Sequence, residues 1–489
     1  MSRYDYDLIV IGGGIAGFVA SSMANGLGKK VAIIEKDRLG GNCALRTCIP
    51  KKALVEASSM VYRAKRLKDF GIATNTPLVF NTDGVMPSVR VTVEKIYQAD
   101  LPESFEKIGI KVIKGEAEFI DKHRIKVNDE NISAKSFIIA SGSRALVPPI
   151  EGLDTIPYLT NENVFDLDKL PESMIVLGGG PAGMELATAF CHLGIKTTVV
   201  EMADQVLFRE DKELVERLAD ILKKDGLDIL TGYKAVKFSQ DKGIINLTIQ
   251  DKNGGTKNLN AEAALIALGR KANLEGLSLE KAGVKYTPKG IITNLKMQTS
   301  SGNIYACGDV VGPYQFAAIA EYQAITAAFN ALLPLKRSIK YDNMVWVTFT
   351  EPQLARCGLS EEEARERYGE NIRVYRYGYE KARRAIVDQA CEGMAKVVCN
   401  ASGKVLGAHV LGLHAEDLIH EIQLLKSLKK PLSRIHSVIH AYPTYSEAII
   451  KRLGDISYTD SLAANPFFKL ALGIMPGFKN NLKYIKEKL

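Results

Sequence analysis

Nowhere in these 489 residues does an apolar run reach the length of a bilayer crossing, so a membrane-spanning helix is not expected. A secretory pattern is missing too, because Asp5 and Asp7 stand directly before a short apolar strand and a glycine loop. Cysteine is scarce. Its seven residues are odd in number and scattered, which argues against the disulfide framework of a small secreted protein. Zinc-finger spacing and RNP-like aromatic motifs are absent, so the net charge of +8 reads as a solvated basic surface and no nucleic-acid partner is expected. His409, His414, His420, His436 and His440 gather late in the chain at spacings that match no metal-ligand pattern, and no metal site is expected. These exclusions leave a soluble cytoplasmic protein. With 46% hydrophobic and 25% charged residues the balance is globular, and the length suggests about three domains.

Glycine is concentrated where it counts. An apolar run from Asp7 to Ile11 ends in Gly12-Gly13-Gly14-Ile15-Ala16-Gly17, a helical pattern follows, and Val31 to Ile34 leads into Glu35. This is a dinucleotide-binding βαβ unit. Its first glycine makes the tight turn, the second lets backbone approach a pyrophosphate, and the third packs helix on strand. The helix N-terminus offers N–H groups to phosphate, and Glu35 lies where a carboxylate takes ribose hydroxyls. The unit then recurs. A single shift lays Gly12, Gly14, Gly17, Gly28 and Glu35 on Gly178, Gly180, Gly183, Gly194 and Glu201. A shorter echo pairs Phe137–Ser143, which contains Ser141 and Gly142, with Ala264–Arg270, which contains Gly269.

Between these landmarks lies Gly40-Gly41-Asn42-Cys43, followed five positions on by Cys48 and then by Pro50-Lys51-Lys52. On a regular helix that spacing is a rise of roughly 7.5 Å, beyond the usual disulfide span, so a bond between the two needs a distorted first turn. Past Pro50, Ala53, Leu54, Ala57, Met60 and Val61 recur at helical spacing. Thiols near a helix start with Lys51 and Lys52 beside them should have lowered pKa values. Cys191, Cys307, Cys357, Cys391 and Cys399 read as buried small apolar residues.

The remaining organisation follows in order. A charged, helix-rich insertion runs from roughly Val61 to Lys107, and Pro148-Pro149 to Pro171 reads as a linker. Asn303 to Asp309 is a strand running into an acid. From about Tyr341 the strands Val345–Phe349, Val374–Tyr379 and Met394–Val398 and the helices Ala415–Leu428 and Arg434–Ile439 suggest a separate α+β domain. The fold class is therefore α/β, with two Rossmann-like dinucleotide-binding domains and a C-terminal α+β domain.

Taken together and in this order, the motifs resemble the flavoprotein disulfide reductases with a Cys-x4-Cys centre. The resemblance implies an FAD-binding domain over 1–150, an NAD(P)-binding domain over 151–273, a second part of the FAD-binding domain over 274–338 and a dimerisation domain over 339–455 of a homodimer. It places FAD on Gly12, Gly14, Gly17, Glu35, Gly41, Ala117, Ser141, Gly142 and Asp309. The nicotinamide dinucleotide falls to Gly178, Gly180, Gly183, Glu201 and Gly269. Lys52 and Glu185 correspond to an ion pair beside the two rings, Cys48 to the thiolate facing the flavin, and Cys43 to the thiol that exchanges with substrate. Glu201 accepts a 2′-hydroxyl and repels a 2′-phosphate, so NADH is expected over NADPH, with Arg209 the one feature pointing the other way.

One departure matters. Members that handle dithiols carry His-Pro-Thr followed by Ser-Glu, the histidine serving as acid and base from the partner subunit. Here the stretch is His440-Ala441-Tyr442-Pro443-Thr444-Tyr445-Ser446-Glu447, so Tyr442 holds the histidine's position while Glu447 is retained. A phenol titrating near pH 10 is a poor base at neutral pH, and His440, two residues away, is either a substitute brought in by a local shift of the chain or an ordinary histidine at a helix end. Electrons would thus pass from NADH through FAD to Cys43–Cys48 and on to a disulfide, persulfide or other soft electrophile that needs no strong base. The alternative reading is an NADH diaphorase or electron-transfer subunit serving a quinone, a metal ion or a membrane-bound partner. A basic, amphipathic tail over 456–489, with an apolar centre from Asn465 to Phe478, suits peripheral membrane contact or a strap on the protein itself.

Overall fold

The computed structural model describes residues 4–76, 78–312 and 314–465. The first glycine loop sits at the carboxyl edge of a sheet whose parallel strands run in the order Ile110–Lys114, Val31–Glu35, Tyr6–Ile11, Glu130–Ile139 and Ile304–Ala306. Val, Ile and Leu fill these strands because both faces are covered. Leu8 and Val10 pack with the helices Ile15–Gly26 and Ala317–Leu332, whereas Ile9 and Ile11 pack on the opposite side with Phe119, Phe137 and Ile304. Because Ile304–Ala306 pairs with Phe137–Ile139, the strand before Asp309 returns to the first sheet across the whole intervening chain.

The second glycine loop heads a five-stranded parallel sheet, ordered Asp228–Thr231, Lys196–Glu201, Ser173–Leu177, Ala263–Ile266 and Leu159–Thr160. Its edge strand comes from the stretch expected to be a linker. That short proline-flanked segment carries too little periodicity to announce a strand, and only pairing with Ala263–Ile266 makes it one. The two echo segments meet directly: Ser143–Ala145 and Arg270–Ala272 form an antiparallel ladder that ties one nucleotide-binding unit to the other.

The last domain is a five-stranded antiparallel sheet, ordered Val345–Thr348, Gln353–Gly358, Val405–Gly412, Met394–Asn400 and Ile372–Gly378. Two of its inner strands, Gln353–Gly358 and Val405–Gly412, were not expected from the sequence; Gly407 interrupts the second. The helix expected over Arg434–Ile439 is a 3₁₀ stretch, Leu432–Ser437. The last described helix, Arg452–Ala464, crosses the expected boundary at 455 and stays packed as far as Thr459, so the tail begins later than its sequence suggests. The proposed apolar tail centre from Pro466 onward lies outside the described residues. Among the described residues, no helix is long and apolar enough to cross a membrane.

Candidate active site

Each glycine of the two loops does one mechanical job. A Cβ on Gly12 would collide with the carbonyl of Ala140, and one on Gly178 with that of Ala267, the residue just after each echo strand. Positive φ, 108° at Gly12 and 112° at Gly178, completes these turns. A Cβ on Gly17 or Gly183 would strike the carbonyl of Gly12 or Gly178. The middle glycines differ. Among the described residues, Gly180 has nothing within 4 Å of where its Cβ would stand, and Gly14 has only the Cα of Gly41 at 3.8 Å. Protein thus crowds the first and third positions and leaves the second open in both copies, as a pyrophosphate at a helix N-terminus requires. The acids also match. Glu35 accepts from the N–H of Gly13 (2.6 Å) and Asp37 (2.8 Å), and Glu201 accepts from those of Gly179 (2.7 Å) and Ala203 (2.8 Å). Their carboxylates keep further lone pairs for ribose hydroxyls. The chain therefore fits two dinucleotides.

This mechanical difference is testable. Gly17→Ala forces a side chain into backbone, and we expect that variant to be isolated without flavin. Gly14→Ala, at an ordinary φ of −77°, should fold and bind FAD about tenfold more weakly, read as flavin retained after dialysis.

The cysteine segment is clipped onto the first loop. Gly40 donates to the Gly13 carbonyl at 2.8 Å, and Gly41, at φ 58°, lies so close that a Cβ would stand 2.8 Å from the Cα of Gly14. Gly41–Leu45 is one short helix and Cys48–Lys65 another, with Arg46 and Thr47 out of helical conformation between them. A break of this kind is what a bond between Cys43 and Cys48 would need. The longer helix begins at Cys48, ahead of Pro50, which sits harmlessly in its first turn.

Both thiols are free, and they are not equivalent. A hydrogen bond from Cys43 is the largest influence holding the Cys48 pKa down at about 6; burial opposes it, and Thr47, Lys51 and Lys52 assist. The same bond, with burial and the charges of Cys48 and Asp309, pushes the Cys43 pKa up. The expectation that both thiols are acidified is thus corrected: one proton is shared, and the outer thiol keeps it. Thr47 Oγ1 stands 3.7 Å from Cys48 Sγ and 2.9 Å from the Asn42 carbonyl.

Lys52 and Glu185 meet as expected, at 3.0 Å, but Lys51 joins them at 2.6 Å. Burial would raise the Glu185 pKa; the two ammonium groups outweigh it and hold it down. Burial lowers that of Lys52, with Glu185 opposing. The backbone N–H of Phe349 donates to the other Glu185 oxygen at 3.0 Å, and the Phe349 ring lies 3.7 Å beneath the Lys52 ammonium. Sequence reasoning set Lys51 beside the thiols without pairing it with Glu185, and it missed Phe349 because that residue comes from the last domain. A second cluster surrounds Asp309. Ser143 donates to it at 2.6 Å, Arg270 stands at 3.2 Å, and Asn42 reaches the Ser143 carbonyl at 2.7 Å. Ser141 donates to the Asn273 carbonyl at 2.8 Å, Gly142 and Gly269 face open space at positive φ, and Ala117 is buried in the first sheet's core.

In the last domain Tyr442 is 64% exposed, with its hydroxyl 3.4 Å from Arg383. Glu447 lies in the first turn of a π-helical segment, Ser446–Lys451, and is held by Arg452 at 2.8 Å. His440 is tied within its own domain. Its Nε2 is 2.8 Å from Glu421 and its Nδ1 3.0 Å from the Val438 carbonyl, so both nitrogens are engaged. Of the other cysteines, Cys307, Cys357 and Cys399 are buried, whereas Cys191 and Cys391 are half-buried. His414, Glu416 and Asp417 place one potential ligand atom each within 4.8 Å of one another, at a helix start that holds carboxylates in any case.

Known proteins combine the same parts. The pyridine nucleotide-disulphide oxidoreductase family matches residues 6–324, and its dimerisation domain matches residues 344–452. A mercuric reductase of Staphylococcus aureus is 34% identical over 453 residues, covering 91% of this chain and 81% of its own. A dihydrolipoyl dehydrogenase of Bacillus subtilis (strain 168) is 32% identical over 464 residues, covering 91% and 96%. A glutathione reductase of Burkholderia cepacia is 32% identical over 458 residues, covering 92% and 99%. Among solved structures, the HOCl-induced flavoprotein disulfide reductase RclA of Escherichia coli is similar with a TM-score of 0.82 and 27% identity, covering 92% of this chain and 99% of that one. The chain belongs to the pyridine nucleotide-disulphide oxidoreductase family: it is an FAD-dependent oxidoreductase that uses a pyridine nucleotide, and its dimerisation domain supports a homodimer.

Proposed function

We propose that this chain oxidises NADH and passes the electron pair to Cys43–Cys48, and from there to a disulfide, a persulfide or another soft electrophile. The observation that carries the reading is the asymmetry of the two sulfurs: a Cys48 thiolate beside Lys51 and Lys52, and a Cys43 thiol donating to it. Bound FAD would supply two-electron transfer between nicotinamide and sulfur. Gly12, Gly14, Gly17, Glu35, Gly41, Ala117, Ser141, Gly142 and Asp309 would hold it, and Gly178, Gly180, Gly183, Glu201 and Gly269 would hold the pyridine nucleotide. Glu201, with both oxygens tied to backbone amides, supports NADH over NADPH because a 2′-phosphate would meet a fixed negative charge.

The balance is simple. NADH and one proton reduce the Cys43–Cys48 disulfide to a dithiol and leave NAD⁺. Cys43 sulfur then attacks an acceptor disulfide, forming a mixed disulfide and releasing one thiol. Cys48 sulfur displaces the second thiol and restores the Cys43–Cys48 bond. Cys43 must lose its proton before it attacks, and the partner subunit's Tyr442 is a poor base for that purpose. An acceptor whose leaving group is already acidic lowers this demand.

A metal ion as the final acceptor is the second reading. Mercuric reductases among the relatives and a Cu(II) complex of the E. coli reductase among the similar structures favour it.

Anaerobic titration of the holoenzyme with NADH tests the main reading. A long-wavelength thiolate-to-flavin band should appear as Cys48 is released from the disulfide. Cys48 is a thiolate above its lowered pKa and a thiol below it, so the band should fade as pH drops through about 6. Flavin bleaching with no band at any pH would remove the cysteines from the electron path.

A further inference from the structure

After Glu201 the chain runs through residues 202–210 before the helix Lys212–Lys224. The inner side of this loop lies on the second glycine turn. Leu207 donates to the Gly179 carbonyl at 2.8 Å, and Val206 fills the place of a Gly179 side chain. Its outer residues Met202 and Phe208 are exposed at the carboxyl edge of the sheet, where ligands of open α/β folds bind.

The far end of the loop is held by another domain. Trp346, the single tryptophan of the chain, donates through Nε1 to Glu210 at 2.6 Å. Arg356 is its cross-strand neighbour in the C-terminal sheet, donates to the Arg209 carbonyl, and lies over the indole at 4.9 Å. Phe316 stacks on the indole at 5.6 Å and 9°. One residue further on, Asp211 meets Lys396 at 2.9 Å, both side chains 3% exposed. Glu210 is itself buried, and its second oxygen has no partner, so the indole N–H is its one hydrogen-bond donor among the described residues. Burial raises its pKa, which makes glutamine the neutral isostere.

We propose that Trp346 and Arg356 are positioning residues for the pyridine nucleotide: the dimerisation domain sets the conformation of the loop that walls the second glycine cradle. The reasoning is one of preorganisation. A loop pinned at its distal end loses little entropy when a nucleotide settles against it; released, it adds that ordering cost to every binding event. The effect should fall on nucleotide affinity and spare the chemistry at sulfur, although Phe349, three residues beyond Trp346, contacts Glu185. The inference rests on the reading that Gly178, Gly180 and Gly183 cradle the pyridine nucleotide.

The holoenzyme supplies its own probe. ADP-ribose, which carries no reducing equivalents, should change the emission of Trp346 in a saturable way. Trp346→Phe and Glu210→Ala should each raise the KM for NADH about three- to tenfold, with kcat, flavin content and the thiolate band within twofold of the parent. Glu210→Gln, which still accepts from the indole, should keep the parental KM; this rescue separates positioning from a general loss of structure. The control is Gly180→Ala, whose added methyl meets open space in the protein and should raise the KM for NADH. An unchanged KM in both Trp346→Phe and Glu210→Ala, alongside a raised KM in Gly180→Ala, overturns the positioning role and leaves the cradle assignment intact. An unchanged KM in Gly180→Ala overturns the cradle assignment, and the positioning role with it.

Discussion

Cys43→Ser is expected to reduce NADH-dependent turnover of a disulfide by about 10³-fold or more, while NADH-dependent reduction of an artificial dye continues. Serine cannot form the mixed disulfide, and Cys48 alone cannot regenerate a Cys43–Cys48 bond. The structural environment of Cys48 should survive, because a serine hydroxyl still donates to its sulfur and Lys51 and Lys52 are untouched. The long-wavelength band should therefore be present before any NADH is added, since Cys48 has no partner with which to oxidise. Flavin content should match that of the parent, because the clip onto the first glycine loop is made by Gly40 and Gly41. The measurement is steady-state turnover with a disulfide and with a dye, on the same preparation. Equal loss of both activities would mean a damaged flavin site, and retention of disulfide turnover would sink the dithiol mechanism.

Tyr442→His is expected to raise kcat/KM for a disulfide acceptor by about 10²-fold at neutral pH, the lower end of what general acid–base catalysis supplies. Cys43 holds its proton tightly because it donates to Cys48, so its deprotonation is the step a base would relieve. Histidine titrates near pH 6.5 and would act as that base, whereas the phenol does not until far higher pH. The gain is set at the low end because the orienting acid is engaged: Glu447 already pairs with Arg452 at 2.8 Å. The site has room for the exchange, as Tyr442 is exposed and, among the described residues, held by a long contact from Arg383. The pH profile carries the decision. The parent enzyme should gain activity steadily as pH rises, and the variant should show a new limb near the histidine pKa. A profile unchanged by the substitution would mean that Tyr442 does not reach Cys43 in the dimer.

Much of this site was legible in one dimension because its signals are local. Each glycine loop, its helix and its acid span a few dozen residues, and the structure shows the same contacts twice, down to the two amides on Glu35 and on Glu201. The broken helix between Cys43 and Cys48 was also foreseeable, since a disulfide between residues five apart does not fit on a regular helix. Other features were not. Leu159–Thr160 is a strand only by pairing with Ala263–Ile266, and the antiparallel ladder between Ser143–Ala145 and Arg270–Ala272 joins two echoes whose likeness gave no hint that they touch.

By itself, then, the sequence determined the two glycine cradles, the position of the cysteine pair and the tyrosine at 442 ahead of Pro443, all of which depend on residue type and short spacing. Tertiary structure alone decided which thiol keeps the proton, that Lys51 shares Glu185 with Lys52, that His440 is tied to Glu421, and that a tryptophan in the last domain donates to Glu210 in the loop after Glu201. Those outcomes come from hydrogen bonds and charges between residues far apart in the chain. Their strength depends on burial and on atomic distance, and neither exists until the domains have packed.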